Sequence, residues 1–155
     1  MTSTIGMKRR VSASIAILLL CVSALSNSLA SPQLPNPKLV FTGIQNYVAN
    51  GQHWVRYNLR VVNFAAYPNS MFVPAPNLPP CGSNTKASRT WVDIYDASNG
   101  KRLYGFCALG APQDLTKLWF AVGQGQPPPA FVYIVLTDRR SNSTYKSNRV
   151  STQLP

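Results

Sequence analysis

From Lys38 onward this chain carries a period of two and no helical period. Val55, Tyr57, Leu59 and Val61 alternate with Arg56, Asn58 and Arg60, so that stretch has an apolar side and a solvated side. Successive side chains of a strand point to opposite faces, and a half-buried strand produces this alternation. The same chemistry recurs along the chain. Residues 39–47 form a strand that ends at Ala49-Asn50-Gly51-Gln52, a turn signature. Residues 91–95 and 103–107 form a hairpin around Ser98-Asn99-Gly100, with Gly100 in the left-handed conformation. In that register Val92 and Ile94 share a face with Tyr104 and Phe106; a slip of one residue would substitute Leu103 and Cys107. Residues 115–122 suit a short helix or a strand, and a turn at 112–114 followed by a strand through Trp119 and Phe120 fits better. Residues 131–136 are apolar on both faces, as in the centre of a sandwich. Residues 138–143 turn, and 144–151 close the sheet. Seven short strands in about 115 residues predict an all-β fold, an immunoglobulin-like antiparallel β-sandwich. Val55, Tyr57, Leu59, Val61, Val92, Ile94, Val132, Ile134 and Leu136 are its expected core.

The N-terminus reads differently. Lys8, Arg9 and Arg10 precede the apolar run Ile15-Ala16-Ile17-Leu18-Leu19-Leu20-Cys21-Val22, and Ser28-Leu29-Ala30 supplies the small residues of a cleavage site. Residues 1–30 are therefore an expected signal peptide, with Met1 or Met7 as the start. The run is shorter than the roughly 20 residues a spanning helix needs, and no other stretch approaches that length. Leu18-Leu19-Leu20 before Cys21 does not suit lipid modification. Cleavage predicts an exported protein, periplasmic or extracellular. The 15 basic residues then become 12, and 12 against 4 acids leave +8. Cys81 and Cys107 remain, and an even pair in an oxidising compartment reads as a disulfide. Closing that loop would stabilise the fold by roughly 3–3.5 kcal/mol on loop entropy. Residues 31–37 are a Pro-rich leader, flexible or extended; residues 38–151 are the sandwich domain; residues 152–155 are a tail.

The run Leu115-Thr116-Lys117-Leu118, then Pro129, Tyr133-Ile134-Val135 and Tyr145-Lys146-Ser147-Asn148-Arg149-Val150 resembles the last three strands of fibronectin type III domains. The resemblance covers about the last third of the chain and implies a sandwich with a binding or spacer role. The cystine and the long Pro-rich connection at 63–88 depart from that family. No Arg-Gly-Asp tripeptide is present, so integrin-type adhesion is not implied. Fold alone does not assign function.

Catalytic chemistry lacks material. The chain has four Asp, no Glu and one His. Acid–base catalysis needs two groups of separated pKa in one cleft. Asp96 and Asp138 stand where a side chain caps turn N–H groups. His53 starts a strand without Cys, His or Glu beside it, so no metal site is expected. No cofactor and no enzymatic activity are expected. The expectation is a non-catalytic binding or interaction module with a basic surface, its partner a protein or a cell-envelope component. Loop residues Met71, Phe72 and Val73 offer an apolar contact for a partner, or else cover a sheet edge. One alternative is a binder of anionic surface polymers (lipopolysaccharide, glycan or anionic lipid) through Arg139, Arg140, Lys146 and Arg149. A second is a protease inhibitor that presents a loop. Nucleic acid is not an expected partner outside the cell.

Overall fold

The computed structural model describes residues 33–75 and 88–153. The expected signal segment and Cys81 lie outside the described residues. Asn50 and Gly51 take left-handed backbone, with φ of 51° and 71°. Two such residues in succession make the tight turn whose twist suits antiparallel strands. They join β1 (Leu39–Ala49) to β2 (Gln52–Val61), which pair from Leu39 opposite Val61 to Ala49 opposite Gln52. Six further strands follow: β3 (Thr90–Asp96), β4 (Arg102–Phe106), β5 (Leu118–Gly123), β6 (Phe131–Asp138), β7 (Ser143–Lys146) and β8 (Val150–Ser151). The fold is all-β, in two antiparallel sheets. One has the order β1-β2-β5; the other has β4-β3-β6-β7, with β8 also paired to β6.

The β3–β4 hairpin keeps the expected register, with Val92 opposite Phe106 and Ile94 opposite Tyr104. Gly100 has φ of 72°, as its place in the turn requires. Leu115 lies in a 3-10 turn over Pro112–Thr116, before the strand through Trp119 and Phe120. Asp114 holds that turn by accepting the N–H groups of Gly110 and Ala111 at 2.7 and 3.1 Å.

The closing strand is two pieces instead of one, because residues 147–149 have other partners. Between the pairs Val135–Lys146 and Val132–Val150, the closing segment carries one residue more than β6 does. This is the arithmetic of a bulge. The Ser147 hydroxyl accepts the Ile134 N–H at 2.9 Å and takes the place of a ladder carbonyl. The Asn148 amide crosses to β1, accepting from Leu39 N–H at 2.8 Å and donating to the Leu39 carbonyl at 3.0 Å. One side chain thereby ties the two sheets together.

The inner faces of both sheets share one core, in which Tyr57 stacks on Phe120 at 5.0 Å between ring centroids. Every expected core residue is buried except Val55, which is partly covered at the sheet's end opposite Asn46 and Val122. Strand β6 is less symmetric than its composition suggests. Val132, Ile134 and Leu136 are fully buried, whereas Phe131 on the other face is 52% exposed. Tyr133, also on the outer face, stacks on Tyr95 and lies under the Lys146 ammonium at 4.2 Å.

The leader and the long connection are tied down where they are described. The Tyr67 hydroxyl donates to the Pro35 carbonyl at 2.7 Å, the Asn63 amide to that of Asn36 at 3.0 Å, and Leu34 packs on the core. Two 3-10 turns, Phe64–Ala66 and Asn69–Met71, lead into a bridge between Pro74 and Ser88. Met71 and Phe72, expected either to meet a partner or to cover a sheet edge, are core residues at 2% and 0% exposure. Their backbone is anchored as well, since the Thr90 hydroxyl donates to the Met71 carbonyl at 2.6 Å. Of the three apolar loop residues only Val73 is exposed.

Candidate functional site

Strand parity divides the three-stranded sheet cleanly. Tyr57, Leu59 and Val61 of β2 and Leu118 and Phe120 of β5 point inward. Trp54, Arg56 and Asn58 of β2 take the opposite phase, as do Trp119 and Ala121 of β5, which stand opposite Asn58 and Arg56. On β1, Tyr47 stands opposite Trp54 and Gln45 opposite Arg56. The outer face therefore carries Tyr47, Trp54 and Trp119, three large rings on a side that adds nothing to the core. Tyr104 arrives from edge strand β4 of the other sheet, its ring 4.5 Å from that of Trp119 and the residue 38% exposed. Tyr47, Trp54, Tyr104 and Trp119 surround a hollow of about 360 Å³. The small residues Ala49 and Ala121 leave the space that larger side chains would fill.

Arg56 stabilises this face from within. Its guanidinium lies 4.9 Å from the Tyr47 ring centroid and 4.3 Å from that of Trp119. A cation over a ring contributes about 0.5–2 kcal/mol, depending on desolvation. Among the described residues the buried Arg56 Nε has no hydrogen-bond partner, so stacking is what holds the side chain. Alternation along β2 puts Arg56 on a solvated face with Arg60; Arg60 is exposed, whereas Arg56 is half-buried between rings.

A second hollow, of about 560 Å³, adjoins the first and shares Gln52 and Trp54 with it. His53, Gln124 and Gln126 line its far side. Two turns shape it. In the turn 123–126 the Gln126 N–H donates to the Gly123 carbonyl at 3.0 Å, and Gly125 has φ of 82°. A left-handed third residue of this kind is glycine territory. The Gln124 N–H donates to the His53 carbonyl at 3.0 Å and holds that turn against β2. Gly123 stands opposite Trp54, so no side chain covers the indole from that position.

The basic residues expected to act together are placed differently from one another. Arg139 lies with its guanidinium 3.9 Å from the centre of the Trp91 ring and is half-buried. Lys146 lies over Tyr133, while Arg140 and Arg149 are exposed. Arg139 and Lys146 share the outer face of the larger sheet.

All four carboxylates have structural partners. Asp93 accepts from Arg102 Nε at 2.6 Å. Asp96 accepts the Ser98 hydroxyl and N–H, and these hydrogen bonds hold its pKa below the usual carboxylate range. Asp114 caps the 3-10 turn. Asp138 pairs through both oxygens with Arg89 and accepts from the Arg140 N–H and the Ser141 hydroxyl. The Arg89 hydrogen bonds are the main reason its pKa is lowered to about 2. Among the described residues, no group of three or more His, Cys, Asp or Glu side chains converges. Cys107 follows β4 and is half-buried.

The aromatic face was the feature that sequence reasoning missed. Its signal was phase: Trp54 is in step with Arg56 and Asn58, and Trp119 is out of step with Leu118 and Phe120. An aromatic residue on the polar phase of a strand marks an outer face that carries more than solvation. No family model, curated protein or solved structure matches this chain.

Proposed function

We propose that this chain is an exported, non-catalytic binding module of immunoglobulin-like, fibronectin type III-like build, which binds its partner on the outer face of the three-stranded sheet. The observation that carries the reading is the cluster of Tyr47, Trp54, Tyr104 and Trp119 around an open hollow, away from the core. Aromatic rings supply large contact areas at small entropic cost, which is why recognition surfaces concentrate them. Engagement of every Asp in a turn, a cap or an ion pair supports the non-catalytic part. Strand division supports the fold assignment. The first, second and fifth strands share one sheet and the third, sixth and seventh the other, as in immunoglobulin-like sandwiches, with the fourth at the edge of the second sheet.

Retention on cell-envelope fractions of the source organism tests the binding face. The exported protein should sediment with the envelope in high salt. The double variant Trp54→Ala/Trp119→Ala should bind at least about tenfold more weakly while keeping its far-UV circular dichroism. Retention equal to that of the unmodified protein would refute the assignment to this face.

A polyanion site on the C-terminal hairpin is the second reading, favoured by the exposure of Arg140, Lys146 and Arg149. It predicts the opposite pattern: retention lost in high salt and in Arg139→Ser/Arg140→Ser, and unaffected by the tryptophan changes. The partner contact expected through Met71, Phe72 and Val73 keeps only Val73 at the surface, since Met71 and Phe72 are buried, and this moves the binding reading to the aromatic face.

The Cys81–Cys107 cystine belongs to the same proposal. The Ser88 N–H donates to the Cys107 carbonyl at 2.7 Å, so the chain returns beside Cys107 only seven residues after Cys81. Mass spectrometry of the exported protein should show the mass of the oxidised form, with no thiol open to alkylation until a reductant is added.

A further inference from the structure

Among the described residues, the two adjoining hollows on the three-stranded sheet have no Lys, Arg, Asp or Glu in their lining, on a chain whose formal charge is +11. We propose that this groove binds a neutral oligosaccharide, an inference that rests on the assignment of this face as the binding face. Its two halves offer different chemistry. The first presents the rings of Tyr47, Trp54, Tyr104 and Trp119. The π-face of an aromatic ring is negative, and the C–H groups on one side of a pyranose carry the complementary partial positive charge. The second presents the amides of Gln52, Gln124 and Gln126 with the His53 imidazole. Each amide offers both donors and an acceptor, matching hydroxyl groups that also donate and accept.

Those amides are open to a ligand. Among the described residues, no hydrogen bond joins the side chains of Gln52, Gln124 or Gln126 to the rest of the protein. Because Gln52 and Trp54 line both hollows, a ligand crossing the groove passes from rings to amides without a break. Two adjoining hollows of about 560 and 360 Å³ offer room for more than one linked sugar. The walls are also held in place before binding, by the left-handed turn at Asn50-Gly51, the Gly125 turn and the Gln124–His53 backbone hydrogen bond. A site that is already ordered loses less entropy when it binds.

Other occupants fit less well. A polyanion or a single nucleic-acid strand needs cations beside its charges, and Arg56 is committed to stacking between Tyr47 and Trp119. A proline-rich peptide docks on aromatic grooves. Its prolines, however, offer carbonyl acceptors and no N–H donors, so the carbonyl ends of the glutamine amides would go unpaired.

Titration of the full exported chain with neutral hexasaccharides of glucose, N-acetylglucosamine and mannose tests the proposal, by calorimetry and by tryptophan fluorescence. At least one should bind saturably, alter the fluorescence and bind equally at low and high salt. Trp54→Ala should weaken binding about tenfold or more. Gln126→Ala, in a turn outside every strand, should weaken it severalfold without touching the fold. No binding by any of the three sugars overturns the proposal, and so does binding that both variants leave intact. Saturable binding of decaproline or oligothymidylate in place of the sugars, lost in Trp54→Ala, overturns the saccharide assignment while leaving the binding face standing. Envelope retention indifferent to Trp54 and Trp119 removes the binding face itself.

Discussion

Phe72→Ala is expected to destabilise the protein by about 3–5 kcal/mol, the range for emptying an aromatic site in a packed core. Phe72 is fully enclosed, with Met71 and Tyr67 buried beside it in the chain. The cost comes from transfer of the ring and from the cavity left behind, because hydrogen bonds fix the surrounding backbone. The Phe72 N–H donates to the Asn69 carbonyl at 2.9 Å, and the Arg89 N–H donates to the Val73 carbonyl at 3.1 Å. Val73→Ala, at 48% exposure one residue later, should cost far less. Urea unfolding of the two variants checks the contrast. Equal, small losses would mean that this segment is a surface loop after all.

Asp138→Ala is expected to destabilise by a similar amount, about 3–5 kcal/mol, because it strands the Arg89 guanidinium. Side-chain exposures of 20% for Arg89 and 7% for Asp138 keep water from replacing the lost partner. The same variant removes the acceptor for the Arg140 N–H and the Ser141 hydroxyl, so the turn into β7 loosens too. A pH dependence follows. The Asp138 carboxyl titrates at about 2, against an ordinary 3.8. A lowered folded-state pKa means that the folded protein holds the carboxylate more tightly than the unfolded chain does. Its contribution, about 2 kcal/mol, is fully present above the ordinary value and is lost as pH falls through about 2. Urea midpoints followed down this acid range should fall for the unmodified protein. They should fall distinctly less for Asp138→Asn, which has no charge to lose there. Parallel curves would assign the acid sensitivity to other carboxylates.

The strands and their turns were legible because they depend on neighbours in sequence. Alternation at 55–61 needs only the two-faced geometry of a strand, and Asn50-Gly51 and Gly100 need only their own tolerance of left-handed backbone. The register of the β3–β4 hairpin followed from its turn. Where sequence reasoning fell short, the partner was distant. Phe72 and Met71 look like loop residues until the chain folds them into the core. The 144–151 strand looks continuous until Asn148 is drawn 109 residues away to Leu39. Arg56 looks like a solvated charge until Tyr47 and Trp119 close on it.

The candidate site belongs wholly to that second class. Tyr47, Trp54, Tyr104 and Trp119 come from four strands and two sheets, and only the order β1-β2-β5, with β4 at the edge of its own sheet, brings their rings together. By itself the sequence determined an all-β chain, most of its core and its tight turns, since period and turn chemistry are local. Which strands became neighbours, and so which rings meet in one groove, was decided by tertiary packing, because the pairing of distant strands minimises exposed apolar area over the whole chain and leaves no mark in any single stretch of it.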